Sequence, residues 1–268
     1  MKKLFKRLIY YVNLYGALFS ISLSSRLQYR VDFIVTSIGY LLYLGANVAL
    51  FGVVYQWTTY LGGWSFNEIL IFLGTYHTIH GIWDFATALN VEQISSHVAK
   101  GSLDMILIKP VSSLFYVTFN NMNFSALINV VAGIVIAVSG AVMRGDPIAL
   151  GTVFLYVLLC FCGVVIFTVI QLLVQLISFR LIRSDTINSF FYQVIKFAEK
   201  PTVIYTGIPR FVLTFMIPMI IIVNVPSELL MGKATAGAIL FSLLVTTALL
   251  LIASIGWRFS VKAYSSTN

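Results

Sequence analysis

The feature that most constrains this chain is the spacing of its charges. No Asp, Glu, Lys or Arg occurs at 33–57, 110–143, 147–179 or 234–257. About 20 apolar residues of α-helix cross the hydrocarbon of a bilayer, so each stretch is long enough to span. Strands of a membrane barrel would alternate apolar with polar residues, and these runs are apolar all round. Lipid offers no water to an open backbone, so helix is what remains. The composition agrees: 59% of residues are hydrophobic and 10% charged, against about 25% charged in a soluble domain. The chain reads as an all-α polytopic membrane protein, with 1–268 forming a single transmembrane domain.

Two segments are less clean. Residues 69–91 continue through Asp84, and 211–227 are broken by Pro218 and Pro226. Between them, 184–205 is amphipathic. At the start, Leu4, Leu8, Val12, Tyr15 and Phe19 recur at helical spacing, with Lys2, Lys3, Lys6 and Arg7 elsewhere on the turn. That pattern predicts an amphipathic helix over 1–30 lying among lipid headgroups. A secretory signal is the alternative, but Tyr10, Tyr11, Asn13 and Tyr15 interrupt its apolar core. A net charge of +8 would raise nucleic acid as a partner in a soluble protein. Here the basic residues flank spans, which points to the positive-inside rule and not to nucleic acid.

Arg26 and Arg30 place the N-terminus in the cytoplasm, and Arg258 and Lys262 place the C-terminus there too. Glu92, Lys100, Asp104 and Lys109 form one cytoplasmic loop, and Arg180 and Arg183 mark another. Arg144-Gly145-Asp146-Pro147 makes an outer turn. Both termini inside requires an even number of crossings, and six are expected. Cys160 and Cys162 lie two positions apart in one span, about 200° around a helix, so they cannot bond to each other.

The most informative segment is the loop at 92–110. Gly101 permits a sharp turn, Ser102 can cap a helix start, and Pro110 stops the element before the next span. From the residues alone it is either an ordinary amphipathic loop or a rigid knob that receives force from a partner.

Gly101-Ser102-Leu103-Asp104-Met105-Ile106-Leu107-Ile108-Lys109-Pro110 resembles the Gly-Thr/Ser/Glu-Leu-Asp/Glu-x-Leu-Leu-x-x-Pro pattern of ABC-2-type permeases, at the corresponding place after the second span. Gln28-Tyr29-Arg30-Val31-Asp32-Phe33 is similar to the approach to the first span in a bacterial branch of that family. Lys200 to Leu230, with Pro201, Pro209 and Pro218, is similar to the family's segment between spans five and six. The resemblance implies a six-span exporter subunit in the bacterial cell membrane. It implies pairing with a second permease, identical or related, and docking of a cytosolic ATPase dimer on Glu92, Lys100, Gly101, Ser102, Leu103, Asp104, Lys109 and Pro110. Pro201, Pro209, Pro218 and Pro226 would shape an outer re-entrant hairpin over 201–230, leaving 184–200 as the fifth span. That placement conflicts with the charge rule, which would keep Lys196, Lys200 and Arg210 inside; a cytoplasmic amphipathic helix at 184–205 is the alternative.

No G-x-x-x-x-G-K-[ST] occurs, so the phosphate cradle of that motif is missing. No cofactor is expected on this chain; ATP and Mg belong on the partner. His77, His80 and Asp84 share one face of the second span at i, i+3 and i+7. Such groups in lipid face a partner helix or a water-filled path. Three readings stay open: interface packing, contact with a substrate or proton path, and a metal site, the last lacking a fourth ligand. An ion-coupled secondary transporter built on these residues is the rival function, though no internal repeat supports it. An intramembrane enzyme would need a nucleophile that is not evident. Asn120, Asn121, Asn123, Asn129, Gln171 and Gln175 can bond between helices, and Gly45 with Ala49 forms a small-xxx-small step.

Overall fold

The computed structural model describes residues 2–28, 30–179 and 184–264, without the side chains of 2–4, 7, 8, 25–28, 184 and 185. Tyr29, Arg180 and Arg183, and the side chains of Lys2, Lys3, Leu4, Arg7, Leu8 and Arg26, which carried parts of the topology argument, lie outside the described residues.

The described residues are helical, with a single isolated bridge between Leu61 and Trp64. In chain order the helices are α1 (Lys2–Gln28), α2 (Arg30–Trp57), α3 (Phe66–Trp83), α4 (Leu89–Glu92), α5 (Ile94–Ala99), α6 (Asp104–Leu107), α7 (Ser113–Phe119), α8 (Leu127–Arg144), α9 (Leu150–Leu176), α10 (Ser184–Ile195), α11 (Gly207–Phe211), α12 (Met219–Leu230) and α13 (Ala236–Ala263). A π-turn at Asp84–Ala88 joins α3 to α4.

Among the described residues, four helices are long and apolar enough to cross a membrane: Arg30–Trp57, Phe124–Arg144, Leu150–Phe179 and Ala236–Ala263. A fifth results if Gly207–Met216 and Met219–Leu230, bent by 89° at their junction, count as one. The other two expected crossings differ from this standard for different reasons. Phe66 to Glu92 has the length, but Glu68, His77, His80 and Asp84 make it too polar. The helix α10 has 12 residues, about 18 Å at 1.5 Å per residue, short of a bilayer's hydrocarbon.

Polarity in α3 is tolerated because the protein, not lipid, surrounds it. Ile69, Ile71, Phe72, Thr75, His77 and Ile79 are all buried. Two close approaches achieve this. Against α8, Gly74 lies where an added Cβ would meet Ala137 N at 2.2 Å and Gly133 O at 2.5 Å. Gly133 in turn faces the Thr78 backbone, and Gly140 the Asn67 carbonyl. At these three points glycine lets the two backbones approach closely, as small residues do in membrane helix pairs. On another side, α12 is buried from Met219 to Ser227. Pro226 within α12 cannot donate to the Ile222 carbonyl, and Gly163 of α9 approaches that carbonyl, where a Cβ would sit at 2.9 Å. By contrast, α2 buries only Leu44, Asn47 and Phe51 and presents Val31, Ile34, Val35, Ile38 and Leu42 outward.

The third expected span begins later than its charge-free run. The chain after Pro110 forms α7, breaks at Asn120, and resumes as a turn at Phe124–Ala126 leading into α8. Asn90 fixes the break: its Nδ2 donates to Thr118 O (3.1 Å) and Asn121 O (2.6 Å), and its Oδ1 accepts from Asn121 N (3.0 Å). The N-terminal helix lies on this elbow through Tyr11–Phe115, Tyr15–Phe119 and Phe19–Phe124 edge contacts. Its packing face is therefore aromatic; Val12, expected on that face, is 61% exposed.

At the end of α3 opposite the 92–110 loop, Glu68 is nearly buried. Its carboxylate accepts from Ser65 N in a capping box and pairs with Lys233 at 2.7 Å and Arg144 at 3.8 Å. The pair ties the start of α3 to the end of α8 and to the turn before α13.

Candidate functional site

The 92–110 segment folds as two short helices hinged at Gly101, whose φ of +69° lies in the left-handed region that favours glycine. Its inner face is apolar. Ile94, Val98, Leu103 and Ile106, with Val91 just before the segment, are buried against Val117 of α7, Val169 and Leu172 of α9, and Trp257 of α13. Trp257 Nε1 also donates to Ser113 Oγ at 3.1 Å. On the N-terminal side, Tyr11 Oη accepts from Ser112 N at 3.1 Å. The loop is thus clamped to the rest of the molecule at both flanks.

The eight residues expected to couple to a partner divide by exposure. Lys100, Lys109 and Pro110 are exposed, while Glu92, Gly101, Ser102 and Asp104 are half-buried. Leu103 is buried and belongs to the anchoring face. Glu92 accepts from Tyr192 Oη of α10 at 2.9 Å. Ser102 does not cap a helix: its hydroxyl lies 2.9 Å from His97 Nδ1, and α6 starts at Asp104 without a side-chain cap. A neighbouring imidazole competes successfully for the hydroxyl. Burial first, and the Lys100 charge second, hold the His97 pKa below its ordinary value. Lys109 Nζ donates to Tyr116 Oη at 2.7 Å, across the ring.

Sequence reasoning missed two residues here. Met105 is 70% exposed and Ile108 is 81% exposed, three apart on the helix face opposite Leu103 and Ile106. The spacing was visible, but which of two apolar pairs faces outward depends on where the loop is anchored.

His77, His80 and Asp84 do not converge on one point. His77 Nδ1 lies 2.9 Å from Asn129 Oδ1 of α8, with its ring edge against Tyr43 and Tyr76. His80 packs among Tyr76, Trp83 and Phe167 and makes no hydrogen bond through Nδ1. Asp84 accepts from the Tyr40 hydroxyl of α2 and from Asn123 Nδ2 at 3.3 Å. Tyr76 Oη donates to Glu199 at 3.2 Å, after α10. Together these groups make a polar seam between α3 and its neighbours. Among the described residues, no group of three or more His, Cys, Asp or Glu is arranged to hold a metal ion. The amides bridge helices: besides Asn129, Gln171 Nε2 donates to Ala88 O at 3.0 Å, and Gln175 Nε2 donates to Asn188. Cys160 and Cys162 are free and buried.

The four prolines of 201–230 have separate roles. Pro201 precedes a 3-10 turn, Pro209 sits in the first turn of α11, Pro218 stands at the 89° bend, and Pro226 lies inside α12. Asn224 Oδ1 of α12 accepts from Thr202 N at 2.8 Å and from its hydroxyl, closing the two limbs on each other. A cavity of about 440 Å³ between them is lined by Arg210, Thr214, Asn224 and Glu228.

A family model described as ABC-2 family transporter protein matches residues 41–268. No curated protein and no solved structure matches the chain.

Proposed function

Because this chain belongs to the ABC-2 family of transporter proteins, we propose that it is the permease subunit of an exporter driven by a separate cytosolic ATPase dimer. ATP and Mg act on that partner, and this chain supplies the membrane pathway together with a second permease copy or relative. In this reading six segments cross a bacterial cell membrane with both termini inside. Phe66 to Glu92 and 184–200 are the two crossings that hydropathy or helix length leaves out. The bent pair around Pro218 is the outer re-entrant hairpin. The polar seam of His77, His80 and Asp84 borders the pathway or the subunit contact.

The observation that carries the proposal is the asymmetry of the 92–110 loop. One face is locked into the core by Leu103 and Ile106, while Met105 and Ile108 stand in the open between Lys100 and Lys109. An apolar pair rimmed by charge is how a small docking knob presents itself. Force applied there reaches α13 through Trp257 and α1 through Tyr11. For ATP to drive transport, the partner must bind the two packed states of this loop with different affinity. The test is co-purification of the ATPase with Met105→Glu, Ile108→Glu, Asp104→Lys and Gly101→Trp variants. Loss of the ATPase from folded variants is expected; full retention and transport in all four would refute the docking assignment.

A further inference from the structure

We propose that the groove between α1, α2 and α8 is a seat for one anionic membrane phospholipid. The groove encloses about 700 Å³, and its walls include Leu23 of α1, Phe33 and Ile34 of α2, and Leu127 and Val131 of α8, with Arg30 as the one charged residue among the described lining residues. The volume falls within the roughly 300–1,000 Å³ of sites that hold a small organic molecule. Arg30 is exposed and makes no hydrogen bond or ion pair with a described residue. Asp32 lies about 200° around the helix from it and has an interaction of its own.

Charge complementarity names the occupant. A lipid tail is as apolar in bulk membrane as in this groove, so the walls alone hold no particular lipid. Discrimination has to come from the headgroup, and a guanidinium presents a planar fork matched to phosphate oxygens. A cation at the first turn of α2, with an apolar channel running from it along α8, has the layout of a headgroup site with its acyl chain. The seat also adjoins a functional junction. Phe124 lines it and contacts Phe19 and Phe85, and the preceding Asn123 binds Asp84. An occupant would brace the elbow on which the 92–110 loop is mounted.

The test is native mass spectrometry of the full chain in detergent, titrated with phosphatidylglycerol or phosphatidylcholine of identical chains. One phosphatidylglycerol should be retained with about fivefold preference, the worth of one basic residue at an anionic surface. Arg30→Gln should erase the preference without changing the melting temperature, whereas Lys6→Gln should keep it. Val131→Trp, at a position 58% exposed, should fill the groove and reduce retention of both lipids. A preference that survives Arg30→Gln, or retention unaffected by Val131→Trp, overturns the assignment. Oleate retained as well as phosphatidylglycerol overturns the phospholipid.

Discussion

Replacing Gly74 with alanine adds a single methyl group at the tightest point of the α3–α8 contact. That carbon would stand 2.2 Å from Ala137 N and 2.5 Å from Gly133 O. Ordinary contact needs about 3.5 Å, so the helices would have to part by roughly 1.3 Å. The obstructing atoms are backbone, which cannot rotate away. The cost should lie near the upper end of the about 1–3 kcal/mol seen for overpacking, offset by about 1 kcal/mol of helix propensity. The net loss is about 2 kcal/mol, or a fall in melting temperature of about 4–8 °C. Gly45→Ala provides the opposite case: nothing lies within 4 Å of its Cβ, so only the propensity gain remains and the melting temperature should hold or rise. Cys160 and Cys162 supply the assay, since both thiols are free and buried and react with a fluorogenic maleimide only as the fold opens. Equal shifts for the two variants would refute the claim that backbone contact, and not helix propensity, governs this interface.

Other substitutions probe the remaining joints. Asn90→Leu leaves three backbone groups of the elbow without their partner and should cost about 2–4 kcal/mol, read in the same thiol assay. Glu68→Gln removes a carboxylate 8% exposed that holds Lys233 and Arg144; it should lower the melting temperature well beyond Asp146→Asn, whose carboxylate is 60% exposed and worth under about 1 kcal/mol. For His97, whose folded pKa lies below its ordinary value, the unfolded chain binds the extra proton first. Stability should therefore be full above about pH 6.5 and decline as pH falls below it towards the folded pKa. His97→Asn should flatten that decline in a pH series of melting curves.

How much of this was legible beforehand depended on which solvent each residue meets. The charge-free runs that face lipid were visible, because lipid imposes the same demand on every turn. The helix α3 was visible only as a less clean segment, because protein surrounds it and lets Thr75 and His77 replace apolar residues. Its glycines were missed for a related reason. A small residue matters only against a close partner, and Gly74, Gly133 and Gly140 have one, while Gly45, which drew attention, has none. The 92–110 loop stood out through its motif, and Gly101 makes the turn its position suggests. Ser102 bonding His97 in place of a helix end, and Met105 with Ile108 pointing outward, were settled by tertiary contacts that no local pattern encodes.

The polarity of α3 has a consequence for how the protein is made. A segment that carries Glu68, His77 and His80 in α3 and Asp84 just after it partitions poorly from the translocation channel into lipid by itself, since polar and ionisable groups are costly in hydrocarbon. Its glycine-lined partner α8 is synthesised about sixty residues later. Until α8 emerges, α3 has to wait beside the channel or pair with α2, so membrane integration of this chain should proceed by groups of helices and not one at a time.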